Sequence, residues 1–200
     1  MNDHKGFFAM MARMKYIERW ALMRNSVSEN ICEHSLEVAM LAHGLGIIGR
    51  KRFGKDLSPE RLAMLGMYHD CTEIITGDMP TPVKYANDEL KEAYKAIEDS
   101  AAHRLLEMLP EDLRAEYESY FLPEQITLEE YRYVKAADKL SALIKCIEEE
   151  KTGNQEFRSA KQATYESLQQ MNMPEVTVFC EVFLPCLLYT SPSPRDRTRS

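Results

Sequence analysis

Residues 65–85 read LGMYHDCTEIITGDMPTPVKY, and the adjacent pair His69-Asp70 near their start decides the fold. Upstream stands His34 in ENICEHSLEVAMLAH (29–43), and downstream Asp138 in VKAADKLSALIKCIEE (134–149), each in a stretch that reads as helix. Two imidazoles and two carboxylates brought together from separate helices make a mixed nitrogen and oxygen site for a divalent metal, a kind of site that serves hydrolysis. Neighbouring side chains on a helix point about 100° apart, so His69 and Asp70 reach one ion only if their helix crosses the core beside its partners. The expectation is an all-α, single-domain bundle with a buried metal at a helix crossing. Taken alone, His34 would read as a hydrogen-bonded packing residue. The joint presence of His69, Asp70 and Asp138 reverses that reading.

Working outward, helix follows helix with turn signals between them and no sustained alternation. Residues 7–20 read as a Met-rich amphipathic helix with Phe7, Met10, Met14 and Ile17 on one stripe, a core-packing pattern. Asn30 with Glu33 three residues on has capping-box spacing, and His34 then heads the stripe Val38, Leu41, Leu45 and Ile48. Ser58-Pro59 opens a third helix in the favoured order, with Gly77 just past its end. On that helix Glu73 lies four residues after His69 and three after Asp70, over the same surface, which favours catalysis over a role as an ordinary surface acid. DMPTPVKY then leaves as a Pro-punctuated loop able to wall a pocket. Helices are expected over 88–109 and 111–120. Thr127 and Glu130 mark a second capping box on a helix running to Gly153, in which Asp138 shares a face with Val134, Ser141 and Lys145. Two further helices, at 155–171 and 174–184, close the bundle.

The chain has 200 residues, 44% of them hydrophobic, enough for one compact domain. Its net charge of −7 argues against a nucleic-acid groove, which needs a basic stripe. Cys32, Cys71, Cys146, Cys180 and Cys186 form no CxxC pair, so reduced, mostly buried thiols are expected. No apolar run reads as a membrane span and the start has no signal-peptide core, so no membrane partner and a cytoplasmic location are expected. His43 points away from the His34 face, His4 and His103 have no partner signal, and the run EEEK at 148–151 reads as a solvated helix end. Residues 186–200, CLLYTSPSPRDRTRS, break with the rest in being rich in Ser, Pro and Arg. Back-translated, 186–196 match a transposase sequencing adapter read through as protein. The domain is therefore expected to span 1–185, with 186–200 a non-native tail and the natural C-terminus missing.

The segments IERWALMRN (17–25), ENICEHSLEVAMLAH, LGMYHDCTEIITGDMPTPVKY and VKAADKLSALIKCIEE resemble the HD-domain metal-dependent phosphohydrolases, and in particular the bacterial 5'-deoxynucleotidases. The His...His-Asp...Asp pattern identifies only the superfamily. RWALMRN and TGDMPTPVKY are far more specific, and the similarity spans nearly the whole chain, from about residue 7 to about residue 185. By themselves Arg19 and Trp20 read as the end of the first helix, an Arg at the negative end of the macrodipole and a Trp in the core. The resemblance instead makes Arg19 a catalytic and phosphate-binding residue. It puts Trp20 and the loop Asp78, Met79, Pro80 and Thr81 on the nucleoside, with His34 and Asp138 also facing substrate.

The resemblance implies hydrolysis of a deoxyribonucleoside 5'-monophosphate to deoxyribonucleoside and phosphate by a homodimer. One divalent transition metal (Co, Mn, Zn, Fe or Cu) would be held by His34, His69, Asp70 and Asp138. Water would attack phosphorus in line with the leaving 5'-oxygen, Glu73 would take or orient its proton, and Trp20 would exclude a ribose 2'-hydroxyl. One rival is HD chemistry on a triphosphate, cyclic or hyperphosphorylated nucleotide. Such substrates call for more basic residues than Arg19, Arg24 and Lys84. A second rival is a non-catalytic helical regulatory protein, for which metal ligands with Glu73 would be unnecessary.

Overall fold

The residues described by the computed structural model, 6–84 and 86–189, form helices joined by turns, with one isolated β-bridge between Glu18 and Asn30. The first segment departs from expectation. Helix α1 covers only Phe7–Met11, a 3-10 turn follows at Met14–Tyr16, and no helix reaches residue 20. The reason lies in the backbone partners: Arg19 N–H donates to the Glu29 carbonyl at 2.9 Å and Ile31 N–H to the Ile17 carbonyl at 3.0 Å. Groups paired in this way cannot continue a helical ladder. The apolar stripe is nonetheless used, with Phe7 and Met14 buried and Met10 and Ile17 packed on the same cluster.

Helix α2 (Ile31–Phe53) opens with the Asn30 capping box, and α3 (Pro59–Tyr68) with the Ser58 side chain accepting from Arg61 N–H. Two short helices follow, α4 (Glu73–Thr76) and α5 (Thr81–Lys84), then α6 (Asp88–Glu107) and α7 (Glu111–Phe121). The Thr127 capping box opens α8 (Leu128–Lys151), and α9 (Arg158–Gln170), α10 (Pro174–Val182) and α11 (Leu184–Tyr189) complete the bundle.

Helix α2 is central, packing on α3, α8 and α10. Its buried Val38, Leu41, Ala42 and Leu45 share one core cluster with Leu62, Leu140, Leu143, Leu168 and Val176. A second cluster gathers Phe7, Met14, Ile31, Cys71, Leu105, Leu106 and Phe121. Helices α2 and α3 approach so closely that a Cβ on Gly66 would stand 3.0 Å from Ala39 Cα, backbone against backbone. The His69-Asp70 turn lies between Leu62 of the first cluster and Cys71 of the second, which fixes it from both sides.

Three further expectations need correction. Helix α2 does reach membrane-span length and apolarity, yet half of that stretch is buried inside the bundle and it carries His34 and Glu37 inward. Glu149, within the run read as solvated, is 2% exposed. It pairs with Lys145 and accepts from the backbone N–H groups of Ser26 and Val27 and from Asn154 Nδ2. Burial works against its charge, but Lys145, Asn154 and Ser26 hold it at about 2. Helix α11 runs through Cys186 to Tyr189, with Leu184 buried and Leu187 against the core, so the change of composition at Cys186 is not the end of helical structure. Residues 190–200 lie outside the described residues. Of the free thiols, Cys71 and Cys146 are buried, Cys180 is half-buried, and Cys32 and Cys186 are exposed.

Candidate functional site

The continuous helix expected across His69 and Asp70 is interrupted there. Helix α3 ends at Tyr68, and the chain turns through i→i+3 bonds, Cys71 N–H to Tyr68 O at 3.1 Å and Glu73 N–H to Asp70 O at 3.0 Å, before α4 begins. The Gly66 carbonyl, which a continuing helix would offer to the Asp70 N–H, is taken by His69 Nδ1–H at 2.7 Å. Across this turn the ends of the two side chains meet, with His69 Nε2 3.0 Å from Asp70 Oδ2. Both point into one cluster with His34, from the first turn of α2, and Asp138, from the middle of α8 between the fully buried Ala136–Ala137 pair and Leu140.

His69 Nε2 stands 3.0 Å from Asp70 Oδ2, and His34 Nε2 stands 3.4 Å from Asp70 Oδ2 and 3.3 Å from Asp138 Oδ1. Ligand atoms of His34, His69 and Asp70 all lie within 4.8 Å of one another. Both Nε2 atoms are buried and make no hydrogen bond of acceptable geometry. Their tautomers follow from the other ring nitrogen. His69 Nδ1 must donate, because its partner is a carbonyl. Ser141 Oγ gives its proton to Glu37, so it accepts from His34 Nδ1–H at 3.0 Å. With Nδ1 donating in both rings, Nε2 is the position left for a proton or a metal ion, and both Nε2 atoms face carboxylates across a buried gap that positive charge there would compensate. The donor set fits a divalent transition metal.

The electrostatics agree. Burial lowers His34, yet the Asp138 and Asp70 carboxylates raise it to about 8, so the cluster recruits positive charge. Asp138 is held far below the ordinary carboxylate range, burial being overcome by Lys135, whose Nζ lies 3.3 Å from Oδ2, and by His34. Glu73, at the start of α4, is buried with Oε2 unpaired, and burial together with Asp70 and Asp78 pushes it up to about 10.

Arg19 is half-buried, ion-paired to Glu29 through Nη1, with Nε buried and unpaired. Burial opposes its charge, and Glu29, Asp70, Asp138 and Asp78 raise its pKa above the usual value. Trp20 has φ +64°, a left-handed conformation that costs an aromatic residue about 1–2 kcal/mol. Its Nε1–H donates to Glu29 Oε2 at 3.0 Å and its ring lies 5.3 Å from that of Phe157. Asp78 is half-buried; burial and the Asp70 charge raise its pKa against the opposing pull of Arg19 and of the nearby Trp20 backbone N–H. Met79 and Pro80 are half-buried on the loop beyond it, and Thr81 is exposed at the start of α5, so the second half of the stretch expected as a loop is helical. The structure thus brings Asp78 of that loop to the charges of the cluster. His43 is half-buried outside the cluster, His103 bonds the Asp99 carbonyl, and His4 lies outside the described residues.

Reading the sequence missed Glu29, Glu37, Ser141 and Lys135 as parts of the site. Glu37 is three residues after His34, and Ser141 three after Asp138, so helical spacing carried a signal for both. Glu29 had none, because its partners come from an irregular segment.

The 5'-deoxynucleotidase YfbR-like family profile matches residues 6–187. The chain is 49% identical over 179 residues to a 5'-deoxynucleotidase of Vibrio atlanticus, covering 90% of this chain and 92% of that one. It is 48% identical over 182 residues to a 5'-deoxynucleotidase of Erwinia tasmaniensis, covering 91% and 92%. Its fold is similar to that of an HD-domain phosphohydrolase from Listeria innocua (TM-score 0.79, 23% identity, covering 92% of this chain and 89% of that one). It also matches the cyanophage S-2L HD phosphohydrolase DatZ, solved with dA and one catalytic Zn2+ ion (TM-score 0.63, 22% identity, covering 91% and 96%). By the profile match and these identities, the chain belongs to the YfbR-like 5'-deoxynucleotidase family.

Proposed function

We propose that this protein is a metal-dependent 5'-deoxynucleotidase that hydrolyses deoxyribonucleoside 5'-monophosphates to the deoxyribonucleoside and phosphate. The observation that carries the reading is the pair of buried, unpartnered imidazole Nε2 atoms facing Asp70 and Asp138, with the Arg19 charge coupled to the same carboxylates. His34, His69, Asp70 and Asp138 would hold one divalent ion of Mn, Co, Zn, Fe or Cu, which when bound polarises a phosphoryl oxygen and lowers the pKa of a water.

The residues around the cluster take the remaining work. Arg19 binds the phosphate with a charge that persists at every physiological pH. Glu73, raised first by burial and then by the Asp70 and Asp78 charges, would orient the attacking water and take its proton. Trp20, with Asp78 and the loop residues Met79, Pro80 and Thr81, holds the nucleoside. The rigid indole leaves a ribose 2'-hydroxyl without room or a hydrogen-bond partner.

Charge favours a monophosphate over a more highly charged nucleotide: Lys84 is committed to Glu98 and Lys135 to Asp138, while Arg24 is exposed. A cytoplasmic homodimer completes the reading. The test is phosphate release by metal-reconstituted protein from paired deoxy and ribo 5'-monophosphates, with 3'-monophosphates and triphosphates alongside. Release confined to the deoxy 5'-monophosphates supports the reading. Preference for triphosphates, or equal rates on both sugars, refutes it.

A further inference from the structure

We infer that Glu29 is the positioning residue for sugar discrimination, holding Arg19 and Trp20 in one fixed arrangement; this rests on the roles proposed above for those two residues. They sit on a segment with no helix to hold it: after the bridge between Glu18 and Asn30, the chain runs irregularly to α2. Something must therefore lock two long side chains whose use depends on their placement.

The Glu29 carboxylate divides between them. Oε1 accepts from Arg19 Nη1, and Oε2 accepts from Trp20 Nε1–H at 3.0 Å. Its own backbone carbonyl accepts the Arg19 N–H at 2.9 Å, so side chain and main chain grip the same neighbour. Oε1 also lies 3.5 Å from His34 Nδ1, which puts this carboxylate between the metal cluster and the indole.

The left-handed φ of Trp20 points the same way. An aromatic residue keeps such a conformation only where its surroundings over-determine it, and such outliers gather at ligand clamps. Three contacts meet here: the Glu29 carboxylate on the indole N–H, the Phe157 ring at 5.3 Å, and the Arg19 guanidinium 5.6 Å from the ring centroid. Glu29 fixes two of the three, because it also holds Arg19. A merely structural Glu29 would neutralise Arg19 without bearing on which sugar is accepted.

Trp20 is the only Trp in the chain, so its fluorescence reports this one side chain. Glu29→Gln keeps the size of the residue but replaces one of the two acceptor oxygens by a donor. The expected result is a red-shifted emission, faster acrylamide quenching, and a fall of about 10- to 100-fold in the deoxy-to-ribo ratio of kcat/KM, the scale on which a shaped pocket rejects an added hydroxyl. Trp20→Phe, which keeps a ring but has no N–H, should lose discrimination with Glu29 intact. In the double variant the two losses should not add. Wild-type quenching and an unchanged sugar ratio in Glu29→Gln, or full discrimination by Trp20→Phe, would overturn the inference. Equal use of both sugars by the wild-type protein would overturn the underlying assignment of Trp20 instead, and the quenching experiment would still decide whether Glu29 holds the indole.

Discussion

Replacing Ser141 by Ala removes one hydroxyl from a fully buried position and leaves two groups without their partner, His34 Nδ1–H and a Glu37 carboxylate oxygen. An unsatisfied buried polar group costs about 1–3 kcal/mol, so some loss of stability is expected in the metal-free protein. The larger consequence falls on the metal. With Ser141 present, the Nδ1 proton is anchored and Nε2 offers a lone pair. Without it, only Glu29 Oε1, at 3.5 Å, faces Nδ1, and Asp70 and Asp138, nearer at 3.4 and 3.3 Å, draw the imidazole proton to Nε2, the atom that must bind the ion. Outer partners of ligating histidines are worth about 10- to 100-fold in metal affinity. That range corresponds to about 1.4–2.7 kcal/mol. Competition against a chromophoric chelator measures it directly, with thermal unfolding of the metal-free and metal-loaded forms run alongside. Affinity within twofold of wild type in folded Ser141→Ala protein would refute the reasoning, since the hydroxyl would then have no hold on the tautomer.

Glu73→Ala should retain metal while kcat falls by on the order of 10²–10⁴, read from steady-state kinetics together with metal content; loss of the metal would make Glu73 a ligand. Gly66→Ala sets a helix-propensity gain of up to about 1 kcal/mol against overpacking of about 1–3 kcal/mol. Because the new Cβ meets the Ala39 and Val38 backbone at 3.0–3.1 Å, strain should win, lowering the melting temperature by about 2–4 °C per kcal/mol lost. Glu149 is depressed from 4.5 to about 2, so its contribution to stability is complete above the unfolded value and disappears as pH falls through the folded one. Glu149→Gln should accordingly flatten the loss of stability between about pH 4.5 and pH 2, measured by denaturant unfolding across that window.

What the sequence made legible divides along physical lines. Caps are local chemistry, and the Asn30, Ser58 and Thr127 signals each open a helix where expected. Helical periodicity placed the His34 stripe inward for the same reason. Breaks decided by distant partners were not legible. Residues 7–20 have a helix's apolar spacing, yet the end of that segment gives its backbone to residues 29–31, and the stripe is buried without the helix. The interruption at His69 depends on a side chain capturing the Gly66 carbonyl, which propensity does not register. Glu149 misled because a charge run resembles a solvated face until a loop 120 residues upstream supplies buried N–H donors.

The most direct measurement is phosphate release from a deoxyribonucleoside 5'-monophosphate by one preparation of the protein, first stripped with chelator, then reconstituted with stoichiometric Mn, Co or Zn, beside Asp138→Ala treated identically. Turnover should vanish on stripping, return with metal in the wild-type protein, and stay absent in Asp138→Ala. Full activity in demonstrably metal-free protein would contradict the central claim that the cluster of His34, His69, Asp70 and Asp138 works by holding a metal.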